Sequence, residues 1–205
     1  MKLYHIQTGL LSVNTYLLVN ENTNKAIVID CGEFYGKIKK FADSLGVEIK
    51  ALLLTHAHFD HAGCAKKFQD TGVKVYISEV EAPKLTNDLN LACCFNKKFD
   101  AFTPDYTFND NEQLNIEGIT IKVLLTKGHT DGSATFVVED MLFTGDTLFY
   151  ESVGRTDFPT GNHAQLLQSI KRLFDLEGDY KVFPGHHDFT TLSHERKYNR
   201  LVDYY

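Results

Sequence analysis

The junction between Ala51-Leu52-Leu53-Leu54 and Thr55-His56-Ala57-His58-Phe59-Asp60-His61 constrains this chain more than any other stretch. A short, continuous apolar run bounded by polar residues reads as a buried strand. The chain leaving it carries three imidazoles and one carboxylate within six residues. An apolar core does not accept that load, because buried polar groups need partners and the imidazoles would repel one another once protonated. On extended backbone, side chains two apart point the same way, so His56 and His58 face one spot. Asp60 and His61 follow where the chain turns into a helix. Neutral nitrogen mixed with anionic oxygen is the donor set that zinc or iron takes. The strand therefore has to end at a crowded polar cleft.

A second junction echoes the first. Leu52-Leu53-Leu54-Thr55-His56-Ala57-His58 aligns with Val123-Leu124-Leu125-Thr126-Lys127-Gly128-His129, each a strand that reaches Thr and then, three residues on, His. One reading is chance likeness of two strand ends. The sharper one is a repeated strand-to-loop unit, with halves of about 1–110 and 111–205 feeding one cleft. No linker or low-complexity tract separates the halves, so residues 1–205 read as a single domain. Two more candidates end strands: Asp146 after Leu142-Phe143-Thr144-Gly145, and His186 after Val182-Phe183-Pro184-Gly185. Taken singly, a Gly-Asp pair after a strand is more often a turn. Glycine precedes His129, Asp146 and His186 alike, which permits the tight backbone path into a crowded site.

Around these junctions the pattern alternates between sheet and helix. Tyr16-Leu17-Leu18-Val19 and Ala26-Ile27-Val28-Ile29-Asp30 flank a polar turn as a hairpin. Helices are expected over 35–45, 62–71, 79–90, 163–174 (capped by Asn162) and 193–203. Further strands fall at 73–77, 120–126, 135–138, 141–144 and 181–184. Residues 91–106 lack a clear period; they read as a covering segment at the cleft mouth or as a plain connection.

Charge and composition exclude whole classes. The net charge is -6 and no stripe of Lys or Arg forms, so nucleic acid is not the main partner. No run approaches the ~18 apolar residues of a membrane span. The first residues lack the apolar core of a signal peptide, which points to the cytoplasm. Cys31, Cys64, Cys93 and Cys94 show no Cys-x-x-Cys spacing and read as small buried thiols in a reducing compartment.

In His56-Ala57-His58-Phe59-Asp60-His61, Gly128-His129-Thr130, Gly145-Asp146 and Gly185-His186, the chain resembles the metallo-β-lactamase superfamily. The resemblance implies an α/β (α+β) fold, a four-layer αββα sandwich of two mixed sheets flanked by helices, with a two-metal site at one edge. Carried over by position, His56, His58 and His129 hold one metal, Asp60, His61 and His186 hold the second, and Asp146 bridges them. The implied cofactors are two divalent ions, zinc first, with iron or manganese as alternatives. Such a pair acidifies bound water and polarises a carbonyl.

Within that superfamily, Gly154-Arg155-Thr156-Asp157-Phe158 and Pro184-Gly185-His186 followed by Thr190-Thr191 and Glu195 look like the short glyoxalase II-like (hydroxyacylglutathione hydrolase-like) proteins. That likeness implies hydrolysis of a small anionic thioester by a metal-bridging hydroxide, with Asp60 orienting the hydroxide as well as ligating. A thiol of pKa near ~8.5 departs without a protein acid. The chain stops soon after His186, where two-domain relatives add the helical part that grips glutathione, so the thiol stays open. Asp131 and Cys31 stand where relatives often carry Pro. Arg155 and Asp157 are expected to pair locally behind Asp146, and His187 to be a spare exposed imidazole. The rival is a mononuclear iron persulfide dioxygenase, which resembles the chain in the same motifs, although Pro184-Gly185-His186-His187 fits the hydrolases better. A metal-binding protein without turnover, a nuclease and a secreted β-lactamase are the weaker readings.

Overall fold

The computed structural model describes residues 1–202. Its first sheet has six strands in chain order: β1 (Lys2–Thr8), β2 (Val13–Asn20), β3 (Lys25–Ile29), β4 (Glu48–Leu53), β5 (Lys74–Ser78) and β6 (Tyr106–Phe108). The β1-β2-β3 part is antiparallel and the β3-β4-β5-β6 part parallel. The second sheet takes β7 (Gln113–Ile116), β8 (Ile119–Leu125), β9 (Ala134–Val138), β10 (Met141–Gly145), β13 (Lys181–Pro184) and β14 (Thr190–Thr191), ordered β14-β13-β10-β9-β8-β7. Only its β10-β13 pair is parallel. A small hairpin, β11 (Leu148–Phe149) with β12 (Ser152–Val153), follows β10.

Period-two alternation builds the layers. Leu18, Ile27, Ile29 and Leu53 face the second sheet and pack with Phe136, Phe143 and Phe183. Their chain neighbours Leu17, Val28 and Leu52 point the other way, under α1 (Tyr35–Ser44) and α3 (Ala65–Asp70), where Ile38, Ala42 and Phe68 cover them. Strands buried on both faces read as continuous apolar runs, which is why β3 and β4 showed no alternation of polarity. On the far side, α4 (His163–Phe174) and α5 (Leu192–Tyr198) lay Leu166, Ile170, Leu173 and Leu192 over Leu124, Leu142 and Val182 of the second sheet. The result is the expected αββα order, with both sheets mixed.

The sheets are also joined at one edge by main-chain bonds. The Ala134 N–H donates to Thr55 O (2.9 Å), and the Asn14 N–H donates to Gly185 O (2.7 Å). The loops after β3, β4, β8, β10 and β13 gather at this edge, beyond the carboxyl ends of the strands, where open α/β sheets characteristically place ligands.

Several expected elements differ. The helix at 62–71 is two pieces, α2 (Phe59–Ala62) and α3, because the Cys64 N–H donates to Gly32 O (2.8 Å) instead of continuing the helix. The helix at 79–90 is two short 3-10 turns, Ala82–Thr86 and Asp88–Asn90; Asn87 between them is extended and accepts the Leu89 N–H on its own side chain. The last helix ends at Tyr198, followed by a 3-10 turn Arg200–Val202, and Asp203 lies outside the described residues. Cys31 and Cys64 are buried thiols as expected, whereas Cys93 and Cys94 are exposed on a 3-10 turn Cys93–Phe95, because their turn lies on the surface. Among the described residues no helix is long and apolar enough to cross a membrane.

Candidate metal centre

Each candidate ligand leaves a strand end by a different local device. After β4 the chain stays extended through His58 (φ -60, ψ 144), then α2 turns Asp60 and His61 back toward the same point. Gly128 (φ +137) takes the chain past α4 so closely that a Cβ there would lie 2.3 Å from the Leu166 backbone. Gly145 (φ +50) needs the left-handed region. Gly185 has an ordinary φ, and its role is space: a Cβ would stand 2.4 Å from Asp146 Oδ1 and 2.6 Å from His61 Cε1.

All seven residues meet. His58 Nδ1 lies 3.1 Å from His56 Nε2 and 3.0 Å from His129 Nε2, with all three rings buried. A second group forms where His186 Nε2 lies 3.3 Å from both Asp60 Oδ2 and His61 Nε2. Asp146 stands between them, with Oδ1 3.3 Å from His61 Nε2 and Oδ2 3.6 Å from His129 Nε2. Within each of the sets His56/His58/His129, His56/His61/Asp146 and Asp60/His61/His186, one ligand atom per residue lies within 4.8 Å of the others.

These residues fit metal ions. Ring nitrogens face ring nitrogens, and Asp146 Oδ1, between the two groups, is buried without a hydrogen-bond partner. Two nitrogens on a tetrahedral zinc, with bonds of about 2.0–2.1 Å, sit about 3.3 Å apart, close to the spacings found here. Three of the outer nitrogens are already engaged. His129 Nδ1 donates to Arg155 O (2.8 Å), His186 Nδ1 to Leu11 O (3.1 Å) and His61 Nδ1 to Asp30 Oδ2 (2.8 Å), which turns each Nε2 inward.

Electrostatics divides the cluster. Burial, then the neighbouring His61 and His58, pushes His56 well below the usual imidazole range. Burial and His129 push His58 down to about 3. For His61 burial also opposes the charge, but Asp146, Asp30 and Asp60 outweigh it and raise the pKa well above 6.5. His186 is raised in the same way, mainly by Asp146 and Asp60. Asp60 and Asp146 are held down, against burial, by His61 and then by His186.

Two carboxylates that the pattern did not single out brace the centre. Asp30, at the end of β3, accepts from the Thr55 N–H and hydroxyl (both 2.8 Å) besides His61. Its signal was an acid at a strand end, as at Asp146, but without the glycine that precedes Asp146. Glu81 is fully buried and links the two echoed loops, accepting from the Ala57 N–H (2.9 Å) and the Thr130 hydroxyl (2.7 Å). It also pairs with the buried Lys84, which bonds Asp131 in turn. Only the Lys84 pair is local, and no spacing announces the bracing role of Glu81, because the two loops it links lie 24 and 49 positions away.

A cleft of about 450 Å³ opens over the metal-facing groups, walled by Leu11, Phe59, Phe95, Phe149 and Phe158. Arg155 makes the expected local pair, two bonds of 2.7 Å to Asp157, and its guanidinium stacks 3.9 Å over Phe158. His187 is exposed at the rim, its ring 5.5 Å from Phe149.

Comparison with known proteins identifies the family. The family described as the Metallo-beta-lactamase superfamily matches residues 8–186. Hydroxyacylglutathione hydrolase GloC of Haemophilus influenzae is 36% identical over 197 residues, covering 93% of this chain and 92% of its own. The crystal structure of the BLEG-1 B3 metallo-beta-lactamase superposes with a TM-score of 0.93 at 31% identity, over 98% of this chain and 99% of that one. TTHA1623 in a di-iron-bound form gives 0.87 at 30%, over 97% and 99%. ETHE1 from Myxococcus xanthus gives 0.83 at 27%, over 99% and 85%.

Proposed function

From the premise that this chain belongs to the metallo-β-lactamase superfamily, and is a metal-dependent hydrolase, we propose that it cleaves small acyl-thioesters. The observation that carries the reading is a second ligand group, Asp60/His61/His186, beside His56/His58/His129 with Asp146 between them. In this assignment the first three imidazoles hold one divalent ion, the other group holds the second, and Asp146 is shared. Two such ions, zinc foremost and iron or manganese as alternatives, would supply an acidified water and polarise a carbonyl.

The rest falls to the chain's own side chains. Asp60 stays ionised, opens onto the cleft, and has only Oδ2 turned to His186 and His61. Its carboxylate can therefore accept a hydrogen bond from the attacking water and orient it. The apolar wall holds the acyl chain and thins the water around the reacting carbonyl, which strengthens every charge interaction there. Beyond the proposed ligands, the ionisable groups lining the cleft are Arg155 and His187, and Arg155 is engaged by Asp157. A leaving group that needs no strong acid suits such a lining, and a thiol of pKa about 8.5 is one. An anionic acyl or thiol portion would meet His187 and the Arg155 edge at the rim. The name of the hydroxyacylglutathione hydrolase relative points to the same substrate class.

The alternative, a mononuclear iron persulfide dioxygenase, draws on the likeness to ETHE1. Protein loaded separately with zinc, iron or manganese, with metals counted and a panel of thioesters, a β-lactam and a persulfide supplied, separates the readings. Thioester cleavage at two metals per chain is expected. Oxygen uptake with the persulfide at one iron per chain, or turnover of the β-lactam alone, would overturn the proposal.

A further inference from the structure

Cys93 and Cys94 stand apart from the metal centre. Both are free and exposed, and their Sγ atoms lie 3.9 Å apart. The turn that carries them is braced. Leu91 and Ala92 are buried against Phe59, and the Cys94 and Phe95 N–H groups donate to Leu91 O and Ala92 O (both 3.1 Å). The Asn96 and Lys97 N–H groups close it further onto Cys93 O (3.2 Å) and Ala92 O (2.8 Å). Leu91 (φ +64) and Asn96 (φ +53) reverse the chain at its two ends.

The spacing suits a chelate better than a disulfide. Two thiolates on a four-coordinate ion with bonds of about 2.3 Å sit about 3.8 Å apart, close to the distance the turn already sets. A disulfide needs the sulfurs at about 2.05 Å and Cα atoms at least about 4.4 Å apart, while adjacent residues across a trans peptide are held at about 3.8 Å. The other cysteine pair offers no such access: Cys31 and Cys64 are buried, and their thiols bond to His61 O (3.4 Å) and Cys31 O (3.3 Å).

We propose that Cys93 and Cys94 form a chelating site for a thiophilic Lewis acid, a soft divalent cation or trivalent arsenic, at the mouth of the cleft and independent of the histidine and aspartate centre. The next residue, Phe95, lines the cleft with its ring 5.0 Å from Phe59 and 6.4 Å from Phe158. A ligand held by both sulfurs closes a ring across the turn and restricts the backbone that carries Phe95. With an arylarsenic(III) oxide the chemistry is a condensation. Two S–As bonds form, the As=O oxygen leaves as water with the two thiol protons, and no atom changes oxidation state.

The folded full chain is treated with phenylarsine oxide, and the intact mass, remaining thiols and labelled peptide are read for wild type, Cys93→Ser and Cys94→Ser. One arsenical per chain on the 93–94 peptide is expected, resistant to a monothiol and removed by a dithiol, with affinity at least tenfold lower in either variant. Amide exchange across 92–97 should slow on loading. A parallel arm with cadmium, read as thiolate-to-metal absorption that either variant abolishes, tells a general soft-cation site from one restricted to trivalent arsenic. Equal capture by the variants, or label mapped to Cys31 and Cys64, would overturn the site.

Discussion

His58 and His61 lie three residues apart and both are buried, yet burial prevails at one and carboxylates at the other. Around His58 the near ring nitrogens belong to His56 and His129, so a proton there would sit among groups that resist it. Around His61 stand Asp30, Asp60 and Asp146, and a positive charge is welcome. On one side of Asp146, His56 and His58 are therefore neutral and ready for a cation. On the other, without a metal, protons occupy the place a cation would take. The same side chain serves both sides, and its acidic neighbours set the difference.

Removing a donor from the neutral side tests that contrast hardest. His58→Ala should lower hydrolysis by at least about 10³-fold, with the loss seen in kcat and in metal content while the circular dichroism stays native. Unfolding with full metal retention in the folded fraction would point to a structural ion instead. Glu81→Ala breaks the clamp between the two echoed loops and should destabilise the metal-free chain by about 1–3 kcal/mol through the buried Ala57 N–H it strands, the Thr130 hydroxyl keeping Ser133 Oγ at 2.7 Å. Denaturant unfolding measures it. On the acidic side, Asp30→Asn frees the His61 ring and should weaken one ion by about 10–100-fold in a chelator competition, leaving the other unchanged. Equal weakening of both would erase the distinction between the groups.

Protons offer a gentler probe. Because His61 and His186 are raised above 6.5, the stabilisation they give the metal-free chain is complete below that pH and is lost as pH rises through their raised values. Cation binding to their group should release protons and tighten over the same rise, whereas His56 and His58, already neutral, release none. Calorimetry in buffers of different ionisation heat counts them. The smallest effect is expected at Asp157→Ala, whose bond to Arg155 lies in solvent: activity within about twofold and an unchanged melting midpoint.

Much of this centre could be read from the chain because its candidate ligands are local events, a strand end followed by a turn. His56, His58, Asp60 and His61 share one strand-to-helix junction, and Gly128, Gly145 and Gly185 each mark a tight approach before a candidate donor. The helices were less legible where long-range bonds competed: Gly32 O draws the Cys64 N–H away and splits one, and Asn87 interrupts another. The exposed Cys93 and Cys94 went unforeseen because small thiols carry no pattern that tells surface from core.

The amino-acid order alone determined the strands that end at the candidate donors, the seven candidates themselves and the family they resemble, since periodicity and donor chemistry are written residue by residue. Only the packed sheets decided which donors face Asp146 from either side, which imidazoles stay neutral, and that Asp30 and Glu81 brace them. Those outcomes depend on distances between positions far apart in the chain and on how much water is left between them, and neither quantity exists until the two sheets close.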